Sequence, residues 1–417
     1  MSLLYFFILL IINLAYLFRN RLLGLLVYLG ICLTAPIIVI GSYRLSYEIL
    51  SFPIICWACI TYFTINKKNI WLVLYFIYLV IVSILFAVIN GSDLNYIGFY
   101  ACFRFVIITS LLMSLVDKFP DKVVNPDRLL FIIIALNLLA SVFQLFQPAW
   151  SSLFYDLYWK PGNEPLEYAL EYGFVRGYGT FGTPIVLGVF SLFVFTYFFV
   201  VKKNFYGIFI SVVLGLLALS KTFILGSVII VTLYLFLNCN IKDFNMRIRK
   251  RIIFSFFKIL LLILFIVLIL YLLILYMDRQ GIPILQYINL IGDPMAALET
   301  RYDAKDGNMI PLIEAFQRNP IFGYGDSKLP GVFVGDTSFF VILYSTGLIG
   351  LILMVLFFFP LMYNSLINLK WKNYTFLVIV AYFISYIGTN IYIMPISSFI
   401  IYVIYITNNR FYITLTK

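Results

Sequence analysis

The sequence contains no histidine, and only 11% of its residues are charged. The first absence removes imidazole general bases, His-ligated zinc and Ser-His-Asp triads from the chemistry open to this chain. The second lies far below the roughly 25% of a soluble domain, so lipid is the solvent for most of the chain. Cysteine is scarce too, and Cys32, Cys56, Cys59, Cys102 and Cys239 all lie in or at the ends of apolar stretches. Cys56 and Cys59 stand one helical turn apart, but a metal site needs more than two ligands.

What is abundant is apolar and aromatic surface. Hydrophobic residues make up 63% of the chain and aromatic residues 19%, with 43 Phe and 32 Tyr. Such a composition suits lipid-facing faces and interfacial belts. The net charge of +11 does not imply a nucleic-acid partner, because Lys and Arg occur as short runs between apolar stretches. The first apolar stretch has no charged leader and runs straight into Arg19-Asn20-Arg21, so it reads as a retained helix.

A membrane span needs about 20 apolar residues. Candidates run over 2–18, 22–40, 48–64, 70–89, 97–116, 129–147, 184–201, 205–219, 222–237, 252–276, 338–360, 374–391 and 394–408. The expected fold is therefore an all-α polytopic membrane protein, a single transmembrane domain over 1–417 with about thirteen helices. Orientation follows from the excess of Lys and Arg in cytoplasmic loops. With 238–251 (NCNIKDFNMRIRKR) placed inside and the rest alternating, eighteen basic residues fall in the short loops on the cytoplasmic side and nine on the other. Both long polar segments, 148–183 and 277–337, then lie outside. Loops of that length are usually functional or disordered, and the second is too apolar for disorder. Within it Met309, Ile310, Ile313 and Phe316 have helical spacing, which predicts an interfacial helix.

Few residues carry chemistry. Arg104 lies inside the fifth span, where an arginine costs about 2.5–3.5 kcal/mol, so it must face a partner, a wet cavity or the interface. Lys258 is close enough to the basic end of its own span to snorkel. Asn137, Ser141 and Gln144 form one polar face on the sixth span, read either as helix–helix hydrogen bonding or as a groove open to the outside. Arg176-Gly177-Tyr178-Gly179-Thr180-Phe181-Gly182-Thr183-Pro184 closes the first long segment. Ser220-Lys221-Thr222 puts a lysine in a short outer turn, against the charge bias, read either as a site for an anionic ligand or as a solvated turn lysine. The second segment supplies Arg301, Asp303 and Glu299, then Arg318-Asn319-Pro320-Ile321-Phe322-Gly323-Tyr324-Gly325-Asp326, and ends at Asp336 before the eleventh span. Asp336 fits a helix N-cap and, over a basic groove, also a base for a sugar hydroxyl.

These segments, in this order, resemble the O-antigen ligase/polymerase superfamily. RNPIFGYG followed by DTSFFVILYSTGLIG resembles its Asn-Pro-aliphatic-Phe-Gly-x-Gly turn and the Asp- or His-initiated helix after it. RGYGTFGTP resembles its Arg-x-x-Gly-Thr-Phe-Gly-Asn-Pro segment with Thr183 in place of Asn. LALSKTFILG resembles its Ser-Arg-Thr turn with Lys221 in place of Arg. Together they cover roughly 95–360. Ligases characteristically begin the post-loop helix with His and polymerases of the Wzy type often with Asp, so Asp336 favours the polymerase.

The resemblance implies a metal-independent, inverting glycosyltransferase of the GT-C kind in the bacterial cytoplasmic membrane, with no cofactor. The growing glycan would pass from undecaprenyl pyrophosphate to a lipid-linked repeat unit at the outer face. Arg176, Lys221 and Arg301 would neutralise the pyrophosphate, with Arg104 deeper, and Asp336 would act as the base. Asn137, Gln144, Tyr178, Arg318 and Tyr324 would contact the glycan. The partners implied are the lipid-linked oligosaccharide, the bilayer, a chain-length regulator (copolymerase) and a flippase. The competing functions are O-antigen ligase, a lipid-oligosaccharide flippase or other transporter, and a non-catalytic scaffold.

Overall fold

Asparagine, threonine and proline set the helix boundaries that apolar runs leave open. The computed structural model describes residues 2–40, 43–90, 94–146, 157–158, 177–238, 310–326, 338–369, 373–389 and 391–408. Its helices are α1 (Ser2–Arg19), α2 (Arg21–Thr34), α3 (Tyr47–Cys59), α4 (Ile70–Asn90), α5 (Tyr96–Lys118), α6 (Asp127–Phe146) and α7 (Pro184–Thr196). After them come α8 (Phe205–Leu217), α9 (Lys221–Asn238), α10 (Ile310–Arg318), α11 (Ser338–Asn368), α12 (Thr375–Gly388) and α13 (Pro395–Asn408). The side chains of Asn20, Asn95, Thr183 and Asn204 cap α2, α5, α7 and α8 by accepting backbone N–H groups of the first turn. α7 starts with Pro184 at a position where its missing N–H costs nothing.

Every apolar stretch expected to span, other than 252–276, is helical; 252–276 and Lys258 lie outside the described residues. Among the described residues six helices are long and apolar enough to cross a membrane, and the other apolar ones are shorter. The stretch expected at 22–40 is helical only to Thr34, because Pro36 disfavours helix in the residue before it. The chain then forms a small antiparallel hairpin, β1 (Ile38–Ile40) with β2 (Tyr43–Leu45), Val39 opposite Arg44.

Burial separates the centre of the bundle from its rim. The spans at Tyr96–Lys118 and Pro184–Lys202 are 78% and 83% buried, whereas that at Lys221–Asn238 is 17% buried. On α4, Leu74, Ile77, Ile81, Ile84, Leu85 and Val88 form an exposed stripe at helical spacing. An apolar stripe of that extent on a helix long enough to span suits contact with lipid. The molecule is a helical membrane protein.

Side-chain ties gather the loops at two opposite ends. At one end Lys68 pairs with Asp117 at 2.8 Å, and Tyr405 bonds the same carboxylate. Asp127 pairs with Lys202 at 3.1 Å and accepts from the Tyr197 hydroxyl at 2.6 Å. Tyr402 donates to the Val124 carbonyl, Asn373 to that of Thr407, and Tyr374 to the Asn238 side chain. Arg19, Arg21, Lys67, Lys68, Lys118, Lys122, Arg128, Lys202 and Lys203 belong to the loops and helix ends joined here. The loops expected on one side of the membrane do share one end. The opposite end carries the hairpin, both glycine-bearing segments and the α8–α9 turn, with Arg44, Lys221 and Arg318.

Helix lengths shape that opposite end. α2, α8, α12 and α13 each start or finish at the basic end and have 13 or 14 residues. At 1.5 Å per residue they rise about 20 Å, against a hydrocarbon core of about 30 Å. The first glycine segment packs onto the end of α8, where Gly177 donates to the Leu217 carbonyl.

Candidate functional site: two glycine turns held in the bundle

The first turn, 177–183, is anchored by the polar face of α6. The Gln144 carbonyl oxygen accepts from the backbone N–H groups of Tyr178 and Gly179 at 3.0 and 2.9 Å, and its amide donates to the Gly179 carbonyl at 2.9 Å. The Asn137 oxygen accepts from the N–H of Thr180 at 2.8 Å and from its hydroxyl at 3.0 Å. Gly177 donates to the Leu217 carbonyl at 3.0 Å, which joins this turn to the segment leading into Lys221. Irregular backbone at membrane depth persists only where protein satisfies its polar groups, and here α6 does so. Asn137 and Gln144 are fully buried; the Gln144 amide donates to the turn, and the Asn137 amide to the Ile133 carbonyl of α6 itself. Both side chains position the turn. Tyr178 is buried with them, at 4% exposure. Nearby, the Tyr158 hydroxyl donates to the Thr34 carbonyl at 3.2 Å, and burial pushes its pKa up to about 12, so it remains a neutral donor.

The second turn, 319–325, closes a break in α11. Gly347 has φ 60° and ψ −160°, which only glycine adopts readily, and it interrupts an otherwise continuous helix. The turn supplies what the interruption leaves unpaired. Tyr324 and Gly325 donate to the carbonyls of Tyr344 and Ser345 at 2.8 and 2.7 Å. Leu348 and Ile349 donate to those of Pro320 and Ile321 at 2.9 and 3.3 Å. Gly323 is also at positive φ, and a methyl group there would come within 2.6 Å of the Gly347 nitrogen. The Asn319 amide closes the turn onto the Gly323 carbonyl. Tyr324 stacks on Tyr344 and meets the tilted ring of Phe86, with ring centres at 5.7 and 5.3 Å. α10 covers the turn by burying Leu312 and Ala315 against Tyr344, with Ile313 packed alongside. Arg318 instead points outward, its side chain 76% exposed and 3.6 Å from Glu314 on the same helix, and so makes only a surface pair.

Asp326 ends this turn as a held carboxylate. Its N–H donates to the Ser83 hydroxyl at 2.7 Å, and its side chain accepts from the Asn95 amide at 3.0 Å. The carboxylate lies against Gly98 in the first turn of α5, where the helix dipole favours negative charge. Asp326, Ser83 and Asn95 were not singled out from the sequence. The signal was an acidic residue directly after Gly-Tyr-Gly.

Arg104 is buried, 6% exposed, and its partner is Glu48 in the first turn of α3, 3.4 Å away. The guanidinium also donates to the Ile393 carbonyl at 3.4 Å and lies over the Tyr100 ring. With Tyr28, Ile393 and Ser398 it lines a small cavity with room for about one water. The guanidinium meets a partner and does not snorkel. Glu48 balances its charge while the pair is intact. The lone Glu48 at the start of an apolar span was the missed signal.

Lys221 opens α9, is exposed, and forms no ion pair among the described residues. A cation at a helix N-terminus stands against the dipole, an arrangement that an anion would relieve. Asp336, Arg301, Arg176, Glu299 and Asp303 lie outside the described residues. Among the described residues no cluster of His, Cys, Asp or Glu has the makings of a metal site.

Fold and site together define the class: a polytopic helical membrane protein with two glycine turns packed into one end of the bundle. No family model, curated protein or solved structure matches the chain.

Proposed function

We propose that this protein is a membrane glycan polymerase acting at the outer face of the bacterial cytoplasmic membrane. The observation that carries the reading is the fate of the two glycine motifs. The two glycine-bearing segments of the superfamily resemblance fold into the bundle at one end, opposite the basic loops, and Gly177 is bonded to the third segment just before Lys221. With the basic end in the cytoplasm, as the charge bias favours, the glycine turns face outward.

In this reading a hydroxyl of the lipid-linked repeat unit attacks the anomeric carbon of the growing chain. The new glycosidic bond forms as the bond to undecaprenyl pyrophosphate breaks, with inversion, and the hydroxyl proton passes to Asp336. Lys221, with Arg176 and Arg301, offsets the charge of the departing pyrophosphate without a metal. The GT-C assignment, the thirteenth span, the glycan contacts of Tyr324 and Arg318, and the copolymerase and flippase partners belong to the same proposal. The aromatic stack at Tyr324 supports sugar contact better than the outward Arg318 does.

A lipid-oligosaccharide transporter is the second reading, favoured by the broken helix α11, since discontinuous helices mark transporter sites. Against it, backbone groups on both sides of the break are engaged by the 320–325 turn instead of being open to a substrate. The lipid-linked glycan profile of a deletion strain separates the readings. Single repeats attached to their final acceptor support the polymerase. Unattached full-length polymer would indicate a ligase, and build-up of repeats on the cytoplasmic side a flippase.

A further inference from the structure

The basic end carries a cluster that the glycan reading does not use. The Arg21 guanidinium lies 5.3 Å from the ring centre of Phe18 and 5.8 Å from that of Tyr62. The Lys118 ammonium lies 5.0 Å from the same Tyr62 ring and 5.8 Å from Phe119, and Lys122 lies 5.4 Å from Phe119. The Tyr62 and Phe119 rings meet edge to face at 5.9 Å. Three cations thus crowd around two touching rings.

Gathered round shared rings, like charges repel, and among the described residues none of the three forms an ion pair. Asp117, next to Lys118 in sequence, is engaged by Lys68 and Tyr405. Asp121 forms no ion pair among the described residues. The Arg21 Nη1 is enclosed and has no hydrogen-bond partner. A guanidinium with spare donor capacity and two ammonium groups set round the same pair of rings suits a phosphate, which takes the Arg fork and point charges together.

The position of the cluster identifies the source of that phosphate. Arg21 begins α2 at the α1–α2 turn, where apolar spans give way to the polar loops of the basic end. From there Phe18, Ile11 and Leu4, seven residues apart along α1, are exposed at 71%, 65% and 67%. An apolar line running from a cationic cluster along a lipid-facing helix has the outline of a lipid, headgroup over Arg21 and chain along α1. Basic pockets between membrane helices bind acidic headgroups in this manner.

We propose that Arg21, Lys118 and Lys122 form a binding site for the phosphodiester of an anionic membrane lipid in the leaflet at the basic end. The site does not depend on the polymerase reading or on which compartment this end faces. The test is native mass spectrometry of the full-length protein in detergent, titrated with phosphatidylglycerol, with phosphatidylcholine as zwitterionic control and inorganic phosphate as competitor.

The expected result is selective retention of phosphatidylglycerol, cut at least tenfold by combined Arg21→Gln, Lys118→Gln and Lys122→Gln. Lys67→Gln, an exposed charge at the same end, should change it less than twofold, and millimolar phosphate should not displace the lipid. Equal retention by the triple variant would overturn the site. So would equal loss from Lys67→Gln, which would reduce the effect to overall charge. Displacement by phosphate alone would make the ligand a free anion and overturn the lipid assignment. If the triple variant does not fold, Arg21→Lys keeps the charge and loses the fork. A several-fold weaker hold on phosphatidylglycerol at unchanged thermal midpoint is expected, and unchanged binding would refute the role of Arg21.

Discussion

Replacing Gln144 with leucine tests whether α6 holds the first glycine turn in place. The substitution nearly preserves volume and removes three hydrogen bonds of 2.9–3.0 Å, leaving two backbone N–H groups and one carbonyl unpaired around a fully buried side chain. Each buried group left without a partner costs about 1–3 kcal/mol, so the docked turn should lose roughly 3–6 kcal/mol after some relaxation. At about 1.4 kcal/mol per tenfold, a turn that was docked essentially always should undock for a measurable fraction of the time. The assay is labelling of Tyr178→Cys by a membrane-impermeant maleimide, in a background lacking the five native cysteines. Tyr178 is 4% exposed, and its bond to Gln144 runs through the backbone, so the probe leaves the anchor intact. Protection is expected in the parent and rapid labelling in Gln144→Leu, with a lower thermal midpoint in detergent. Gln144→Glu keeps the acceptor for both N–H groups, loses the donor and adds a buried charge, so it should fall between. If Gln144→Leu stays as protected and as stable as the parent, the turn is held by something else and the anchoring argument fails.

Three further outcomes follow from the geometry. Removing one partner of the Arg104–Glu48 pair should destabilise the protein by about 3–5 kcal/mol, while Arg104→Met with Glu48→Leu should recover most of the loss, read as a double-mutant cycle on thermal midpoints. Gly347→Ala or Gly323→Ala should each cost about 1–3 kcal/mol or more from the backbone conformation alone, read the same way, whereas Glu314→Ala on exposed α10 should cost under about 1 kcal/mol. Lys221→Met should reduce polymer formation at least tenfold while Lys221→Arg restores it, as expected for a charge that meets phosphate; equal loss in both would contradict that role.

Much of this architecture was legible in the sequence because about 20 apolar residues in a row have one solution in lipid. The alternation of basic and non-basic loops also anticipated which loops share an end, as the Lys68–Asp117–Tyr405 and Asp127–Lys202 ties show. The finer arrangement was less readable. A polar stripe such as Asn137–Ser141–Gln144 announces a need for partners without saying whether they are helix, ligand or loop. The break at Gly347 hides in an unbroken apolar run, because glycine is tolerated within a helix and only the 319–325 backbone selects the interruption. Arg104 announced a partner, but Glu48 reads as one acid at a span end until α3 and α5 are packed together. On α10 the deepest contacts are Leu312 and Ala315, offset from the expected seam of Ile310, Ile313 and Phe316, because the helix packs onto Tyr344 of α11 and not onto a flat surface.

The most direct test of the polymerase reading is reconstitution. Purified full-length protein in liposomes would receive synthetic undecaprenyl-pyrophosphate-linked repeat unit, with a chelator present, and the products would be resolved by size. The account predicts a ladder of lipid-linked oligomers and release of one undecaprenyl pyrophosphate per added repeat, both lost in Asp336→Ala. Intact, unextended repeat unit in the presence of well-folded protein, or an undiminished ladder from Asp336→Ala, would contradict the activity in the first case and its proposed base in the second.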